Sequence, residues 1–303
     1  RDRFLHAMLK RGERGPAFAT YRAPDGAKVG CPLVAEDLGQ HSLVLGATGS
    51  GKSSLLEAMC RTLLRIGRGF VLIDPHGDLA GRVGRWVRAT GSLTLVPLDF
   101  TRPETLPAWN PLAAMDGVAP SRQVDLLVTV LKRLYRGETV ASWSWGVKTE
   151  ELMRVSLRAL IESATSLTLL DLDRFLTDEE FRLDVLQTAG PEVQGYFRDR
   201  FGAREEMYVS AVLNKLAPLL DAPAVRAFLG RTDGTLDLLG VIDRRAAVVV
   251  NLARGSLGAA ADVLGRLLTS TFLLAALRRE RIVPEARRPV TLLVDEAHSF
   301  AGE

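Results

Sequence analysis

Hydrophobic and polar positions alternate along the chain in two distinct patterns. Short apolar runs are typical of buried strands. Such runs occur at residues 42–45, 70–73, 93–96, 246–251 and 290–294. Between the early runs, apolar residues recur every three or four positions, which predicts amphipathic helices, the first over 53–66. Strands that alternate with helices predict a mainly parallel sheet covered by helices, an α/β fold.

The pattern becomes purely helical between the third and the fourth apolar run. Leu127, Val130, Leu131 and Leu134 illustrate the spacing, which continues to about residue 230 without alternation of period two. We therefore predict an all-helical domain inserted at 112–240. The α/β domain then comprises 29–111 and 241–303, and 1–28 form a basic arm or linker.

Composition places the chain among globular proteins. Hydrophobic residues make up 47% and charged residues 25%, which argues against disorder and against a membrane-embedded chain. The most apolar stretch, 257–277, carries Asp262 and Arg266, so no membrane segment is predicted. Cys31 and Cys60 form no metal or redox motif, which favours a reducing, cytoplasmic location.

The charge is distributed unevenly between the two predicted domains. Residues 112–240 carry a net charge of −4, which leaves +7 for the rest of the chain. If the chain binds a polyanion, the α/β domain is therefore the expected place.

A phosphate-binding motif follows the first apolar run. It reads Gly46, Ala47, Thr48, Gly49, Ser50, Gly51, Lys52 and Ser53, and matches G-x-x-x-x-G-K-[ST]. Glycines let successive backbone N–H groups point at phosphate oxygens, and the following helix N-terminus adds partial positive charge. Lys52 is expected to bridge the β- and γ-phosphates of ATP, Ser53 to bind Mg²⁺, and Ser54 to reach the α-phosphate.

An acid pair closes the last apolar run. Asp295 is expected to orient the Mg²⁺ shell through water, because magnesium keeps several of its waters. Glu296 is expected to act as general base toward the attacking water. Lys52 and Asp295 are 243 residues apart, a separation that the helical insert accounts for. The string DEAH at 295–298 also occurs in certain RNA helicases, but those keep it much closer to the phosphate loop.

Three further motifs carry a family resemblance. They are LIDPHGD at 72–78, NPL at 110–112 and VVNLARG at 249–255. Together with the phosphate loop and the acid pair, they resemble the HerA/FtsK superfamily of ring-forming, DNA-pumping ATPases. The helical insert and the NLARG segment are most similar to TraD/TraG-type coupling proteins of conjugation and type IV secretion. The resemblance covers about 40–303.

The resemblance implies a specific biochemical role. It implies a RecA-like P-loop ATPase that uses ATP and Mg²⁺, assembles as a homo-hexamer and threads DNA through a central channel. The helical domain would face secretion or relaxosome proteins. In a longer protein the location would be the cytoplasm, at the inner face of the membrane. The chain starts at Arg1, and the family's sensor glutamine and trans-acting arginine are expected beyond Glu303.

Several interpretations stay open at the level of sequence. Asp74, His76, Asp78 and Asn251 are expected to support the nucleotide cleft, and the first three are also a weaker candidate for a metal site. Five arginines are candidates for contact with DNA or with a neighbouring subunit's phosphates, or for a solvated helix end: Arg278, Arg279, Arg281, Arg287 and Arg288. Trp143 and Trp145 are expected to anchor the helical domain rather than to stack on bases.

Two alternative functions also fit the sequence. One is a secretion ATPase of the same superfamily that moves protein or pilus subunits. The other is a nucleotide-gated scaffold that recruits partners through 112–240.

Overall fold

A computed structural model describes most of the chain, and its residues group into two compact units. The described residues are 17–22, 26, 28–32, 41–115, 118–134, 146–234, 236–238 and 240–300. Unit 1 contains the described residues up to Leu98, with Gly240–Asn251 and Arg278–Asp295. Unit 2 contains Asp99–Leu239, Leu252–Leu277 and the residues from Glu296 onward. The domain boundaries predicted from the sequence stay a prediction.

Unit 1 is built on a four-stranded sheet. Its strands are β3 (Gly69–Asp74), β4 (Thr94–Asp99), β5 (Ala246–Asn251) and β6 (Val290–Val294), in the order β4-β5-β3-β6. β3 pairs in parallel with both β5 and β6. A separate antiparallel hairpin is formed by β1 (Ala17–Arg22) and β2 (Lys28–Pro32). The central strand β3 is buried along its whole length, as expected for a strand covered on both faces.

Two helices pack on this sheet because each has one apolar face. They are α1 (Lys52–Arg65) and α2 (Asp78–Thr90). Their buried side chains form one core with the strands, which includes Leu63 of α1, Val83 of α2 and Leu72 of β3. Burial raises the pKa of the Cys60 thiol in this core, so Cys60 acts as a small apolar residue.

Unit 2 is helical in its described residues. Its helices are α3 (Pro120–Leu134), α4 (Val147–Glu162), α5 (Asp171–Thr177), α6 (Glu179–Leu186), α7 (Pro191–Asp199), α8 (Ala203–Leu220), α9 (Pro223–Leu229), α10 (Arg254–Leu257) and most of α11 (Ala259–Arg278). Leu152 and Leu157 of α4 and Phe175 of α5 are fully buried. The ring of Phe228 packs edge-on against Phe100 at 5.2 Å. The mainly helical pattern of 120–230 and the α/β pattern around it are thus confirmed.

The strand predicted at 42–45 is wrong. Residues 41–47 are irregular, and the Leu43 and Leu45 side chains are 78% and 83% exposed. An apolar run becomes a strand only where a neighbouring strand supplies hydrogen bonds, and the described sheet consists of four strands that do not include this segment. The apolar character of the run therefore indicated a strand that the structure does not form.

Helix α11 is the apolar segment noted in the sequence. Its residues Ala259–Leu277 are long and apolar enough to cross a membrane by length and composition alone. Leu264, Leu268 and Phe272 are buried inside the protein. These burials are typical of a core helix.

Candidate nucleotide-binding site

The phosphate-loop motif forms an exposed turn that leads directly into α1. Gly49 and Gly51 have φ angles of +80° and +92°, which glycine adopts without strain. The amide of Ser50 donates to the carbonyl of Ala47 at 3.1 Å and closes the turn. The first N–H groups of a helix have no partner within the helix, so the start of α1 offers donors to an anion.

Lys52 is the first residue of α1, and its ammonium group lies against its own loop. Nζ donates to the carbonyl oxygens of Gly46 at 2.8 Å and Ala47 at 3.0 Å. The loop that carries the phosphate-binding motif therefore also holds the positive charge of Lys52.

Ser53 and Asp295 are brought together from distant parts of the sequence. The Ser53 hydroxyl donates to Oδ2 of Asp295 at 2.9 Å. Asp295 continues the β3–β6 ladder, because its amide donates to the carbonyl of Ile73 at 3.0 Å. A hydroxyl and a carboxylate side by side are hard oxygen donors of the kind that Mg²⁺ prefers. The side chains present therefore fit Mg²⁺.

The LIDPHGD segment forms a tight turn between β3 and α2. The buried carboxylate of Asp74 accepts from the amides of His76 at 2.9 Å and Ala80 at 2.8 Å. Gly77 has φ +93° and lies under the side chain of Asn251. Asp78 is the first residue of α2. These contacts account for the segment as a built turn, and no group of three or more His, Cys, Asp or Glu side chains in the described ranges is arranged to hold a metal ion.

Glu296 follows Asp295 and belongs to unit 2. Its backbone is left-handed, with φ +48° and ψ +46°, and it precedes the turn Ala297–Ser299. Nη1 of Arg254, at the start of α10, lies 3.7 Å from its Oε2. In the sequence, Arg254 is one residue of the NLARG motif, which by itself predicts no role for it. The one signal in the sequence that could have pointed to Arg254 is its charge, three residues after the strand β5.

Two of the arginines between 278 and 288 contact other parts of the protein. Arg279 is buried, forms an ion pair with Asp243 at 2.9 Å and donates to the carbonyl of Arg288. Arg287 donates to the carbonyl of Ile282 at 2.7 Å. Arg279 is thus not a solvated helix end, whereas Arg287 is exposed. The predictions for Trp143 and Trp145 lie outside the described residues.

The comparison with protein families decides what kind of domain carries this site. A family model described as the central domain of the helicase HerA matches residues 23–192, more than half of the chain. The chain belongs to the HerA central-domain family. None of the curated protein sequences matches this HerA-type domain significantly.

Solved structures give the fold of the HerA-type domain. The bacterial conjugative coupling protein TrwBdeltaN70, in its unbound monoclinic form, is 19% identical with a TM-score of 0.56, over 98% of this chain and 62% of that chain. TrwB in complex with the ATP analogue ADPNP is 20% identical with a TM-score of 0.58, over 98% and 65%. VirB4 of Thermoanaerobacter pseudethanolicus is 16% identical with a TM-score of 0.50, over 94% and 68%.

Family and fold are therefore established together. The predicted resemblance to the HerA-type family is confirmed by the family model, and the similarity to TrwB and VirB4 shows that they share its fold. So is the fold, a RecA-like P-loop NTPase with a mainly parallel sheet and an inserted helical domain. The chain spans less than two thirds of the length of these two TrwB chains, at 62% and 65%.

Proposed function

We propose that this HerA-type domain is the ATP-hydrolysing motor of a DNA translocase of the coupling-protein type. The observation that supports it best is the 2.9 Å hydrogen bond between Ser53 and Asp295. It joins the residue after the loop lysine to the acid at the end of β6, as a shared site for magnesium and triphosphate requires. TrwB, which has the same fold, was solved with ADPNP and with ADP and Mg²⁺.

The loop would bind the nucleotide through its backbone N–H groups and through lysine and serine side chains. The proposed nucleotide-binding residues are Gly46, Ala47, Thr48, Gly49, Ser50, Gly51, Lys52, Ser53 and Ser54. In this proposal Lys52 exchanges its two carbonyl acceptors for β- and γ-phosphate oxygens. Ser53 and Asp295 would hold Mg²⁺, which neutralises developing charge on the phosphates when it is bound.

Glu296 supplies the remaining chemical group. Its carboxylate accepts a proton from water while the water oxygen forms a bond to the γ-phosphorus. The bond between that phosphorus and the bridging oxygen breaks, and ADP leaves with the electron pair. Asp74, His76, Asp78 and Asn251 would support this cleft by shaping the turn after β3.

The test of hydrolysis uses the full chain and a matched pair of lysines. Lys52→Ala removes the proposed phosphate ligand, so the ATPase rate should fall about 100-fold or more. Lys148→Ala removes a lysine paired at 2.9 Å with Glu151 and should leave the rate unchanged. A Lys52→Ala protein with the wild-type rate would contradict the assignment of the site.

DNA is the proposed cargo, and the assembly is proposed to be a homo-hexamer in the cytoplasm. The net charge of +7 outside residues 112–240 is compatible with a polyanion. Duplex DNA should stimulate hydrolysis, and the stimulation should fall steeply as salt rises. ATPase activity that ignores DNA would instead favour the secretion ATPase that moves protein or pilus subunits.

The proposed role of the helical domain is to bind secretion or relaxosome proteins. If the chain were only a nucleotide-gated scaffold, Glu296→Gln would leave its function in a transfer assay intact. A motor should stall with ATP bound in the same variant.

A further inference from the structure

One arginine links two strained backbone positions. Within the described residues, Ala253 with φ +49° and Glu296 with φ +48° are the residues other than glycine that have positive φ. Arg254 follows Ala253 directly, and its guanidinium reaches the Glu296 carboxylate at 3.7 Å. Side chains disfavour this backbone region, and such strain concentrates at functional sites.

Asp262 anchors the guanidinium of Arg254 from the other side. Nη2 of Arg254 donates to Oδ2 of Asp262, in the first turn of α11, at 3.2 Å. The second carboxylate oxygen of Asp262 is buried and has no hydrogen-bond partner among the described residues. The Asp262 side chain as a whole is 32% exposed, and Arg254 supplies a counter-charge to this partly buried carboxylate. Arg254 is therefore held at Asp262 by opposite charge and one hydrogen bond.

The remaining arm of the guanidinium points at the turn that begins with Glu296. Nη1 donates to the hydroxyl of Ser299 at 3.1 Å and lies 3.7 Å from Oε2 of Glu296. The guanidinium group is planar and rigid, so the positions of Nη1 and Nη2 are fixed relative to each other. Binding of Nη2 to Asp262 therefore also sets the direction of Nη1. A separation of 3.7 Å is longer than a hydrogen bond, so the interaction between Arg254 and Glu296 is an ion pair.

The turn itself has other attachments to α11. Arg266 donates to the carbonyl of Ser299 at 3.3 Å, and the ring of Phe300 packs on Gly265. Loss of Arg254 should therefore move the Glu296 carboxylate more than the backbone of the turn.

We infer that Arg254, anchored by Asp262, is a positioning residue for the Glu296 carboxylate. This inference rests on the proposed function, in which Glu296 accepts the proton of the attacking water. A general base must lie within hydrogen-bond reach of that proton. A misplacement of about 1 Å can cost about 100-fold in rate. Arg254 would fix the carboxylate by charge while Asp262 fixes Arg254.

The experiment compares variants of the full chain with a matched arginine. Arg254→Ala removes the positioning charge. Arg254→Lys retains a positive charge but lacks the planar guanidinium with its two terminal nitrogens. Asp262→Asn removes the negative charge that holds Arg254. The control is Arg158→Ala, because Arg158 is 33% exposed against 35% for Arg254 and also pairs with two carboxylates. Steady-state kinetics, titration of Mg²⁺–ADPNP binding and Tm are measured for each variant.

We expect a loss in kcat with binding preserved. Arg254→Ala should lower kcat about 10- to 100-fold, while KM and the ADPNP affinity change by less than about threefold. Arg254→Lys should recover part of the rate, Asp262→Asn should fall between, and Arg158→Ala should match the wild type. A kcat of Arg254→Ala within twofold of the wild type overturns the inference, as does a parallel loss of ADPNP affinity.

A double variant separates positioning from a purely structural effect. If Arg254 acts through Glu296, adding Arg254→Ala to Glu296→Gln should leave the single-turnover rate at the Glu296→Gln level. A further loss equal to that of Arg254→Ala alone overturns the inference. If Arg254→Ala does not fold, Arg254→Lys and Asp262→Asn are judged by the same criteria.

The two levels of the proposal fail in different ways. No ATPase activity in the full-length wild-type protein, or a wild-type rate in Glu296→Gln, would overturn the proposed function and this inference with it. An inactive Glu296→Gln beside a fully active Arg254→Ala would overturn only the inference.

Discussion

The ring of Phe300 packs so closely on Gly265 that a β-carbon at position 265 would lie no more than 2.9 Å from three ring carbons. Gly265→Ala should therefore destabilise the protein by about 1–2 kcal/mol, because overpacking outweighs the gain in helix propensity. Gly84→Ala is the control, since nothing among the described residues lies within 4 Å of its β-carbon. That variant should gain about 0.5–1 kcal/mol. Urea denaturation distinguishes the two, and equal stabilisation would contradict the close packing.

Gly77 and Gly91 form a second matched pair. Both have positive φ, at +93° and +60°, but only Gly77 lies against another side chain, with Cγ of Asn251 2.6 Å from the position of a β-carbon. Gly91→Ala should cost about 1–2 kcal/mol from backbone strain alone. Gly77→Ala should cost about 1–3 kcal/mol more. Adding Asn251→Ala to Gly77→Ala should recover that difference, and an unchanged cost would mean that Asn251 is not its cause.

Ser53 and Asp295 should behave as one unit toward magnesium. Ser53→Ala and Asp295→Asn should each weaken the Mg²⁺ dependence of ADPNP binding about 10- to 100-fold. The double variant should lose less than the sum of the two free energies, because each change already breaks the shared contact. Ser92→Ala removes a hydroxyl that donates to the carbonyl of Leu64 and serves as control. Strictly additive losses would show that the two residues act independently.

Glu150 should contribute stability that depends on pH. A hydrogen bond from Lys132 at 2.7 Å lowers the pKa of Glu150 from its ordinary 4.5. Partial burial opposes this effect, and a hydrogen bond from Arg154 adds to it. The folded protein thus has the lower pKa, so this stabilisation is complete above about pH 4.5 and is lost as the pH falls through the folded pKa. Glu150→Gln should cost about 1 kcal/mol or less at neutral pH and a smaller amount near pH 3. Thermal unfolding at both pH values measures it, and a constant difference would contradict it.

Much of the fold was predictable because its strands are apolar and its helices amphipathic. The predicted strand at 246–251 coincides with β5, and the predicted helix at 53–66 is α1 shifted by one residue. The apolar run of the strand and the amphipathic spacing of the helix each reflect which side chains of that one element are buried. The strand at 42–45 failed because a strand also needs a partner, and pairing is a property of the sheet rather than of the run.

The site was predictable only as far as motifs reach. Sequence motifs alone identify the loop around Lys52 and the acids at 295 and 296. The contact between Ser53 and Asp295 follows from the magnesium-binding role expected of both residues. Arg254 and Asp262 were not assigned a role, because their meeting depends on how α10 and α11 are arranged within unit 2. Spacing along the sequence carries no signal for such a contact.

The order of pairing in the sheet has a consequence for biosynthesis. β3 is completed at Asp74, yet its partners β5 and β6 begin at Ala246 and Val290. At about 5–20 residues per second, a ribosome needs roughly 10–30 s to make the intervening chain. During that time the six residues of β3, all buried in the folded protein, have no neighbouring strand to pair with. The nascent protein is therefore most exposed to aggregation before its C-terminal strands emerge, and chaperones that hold the early segment should raise its yield.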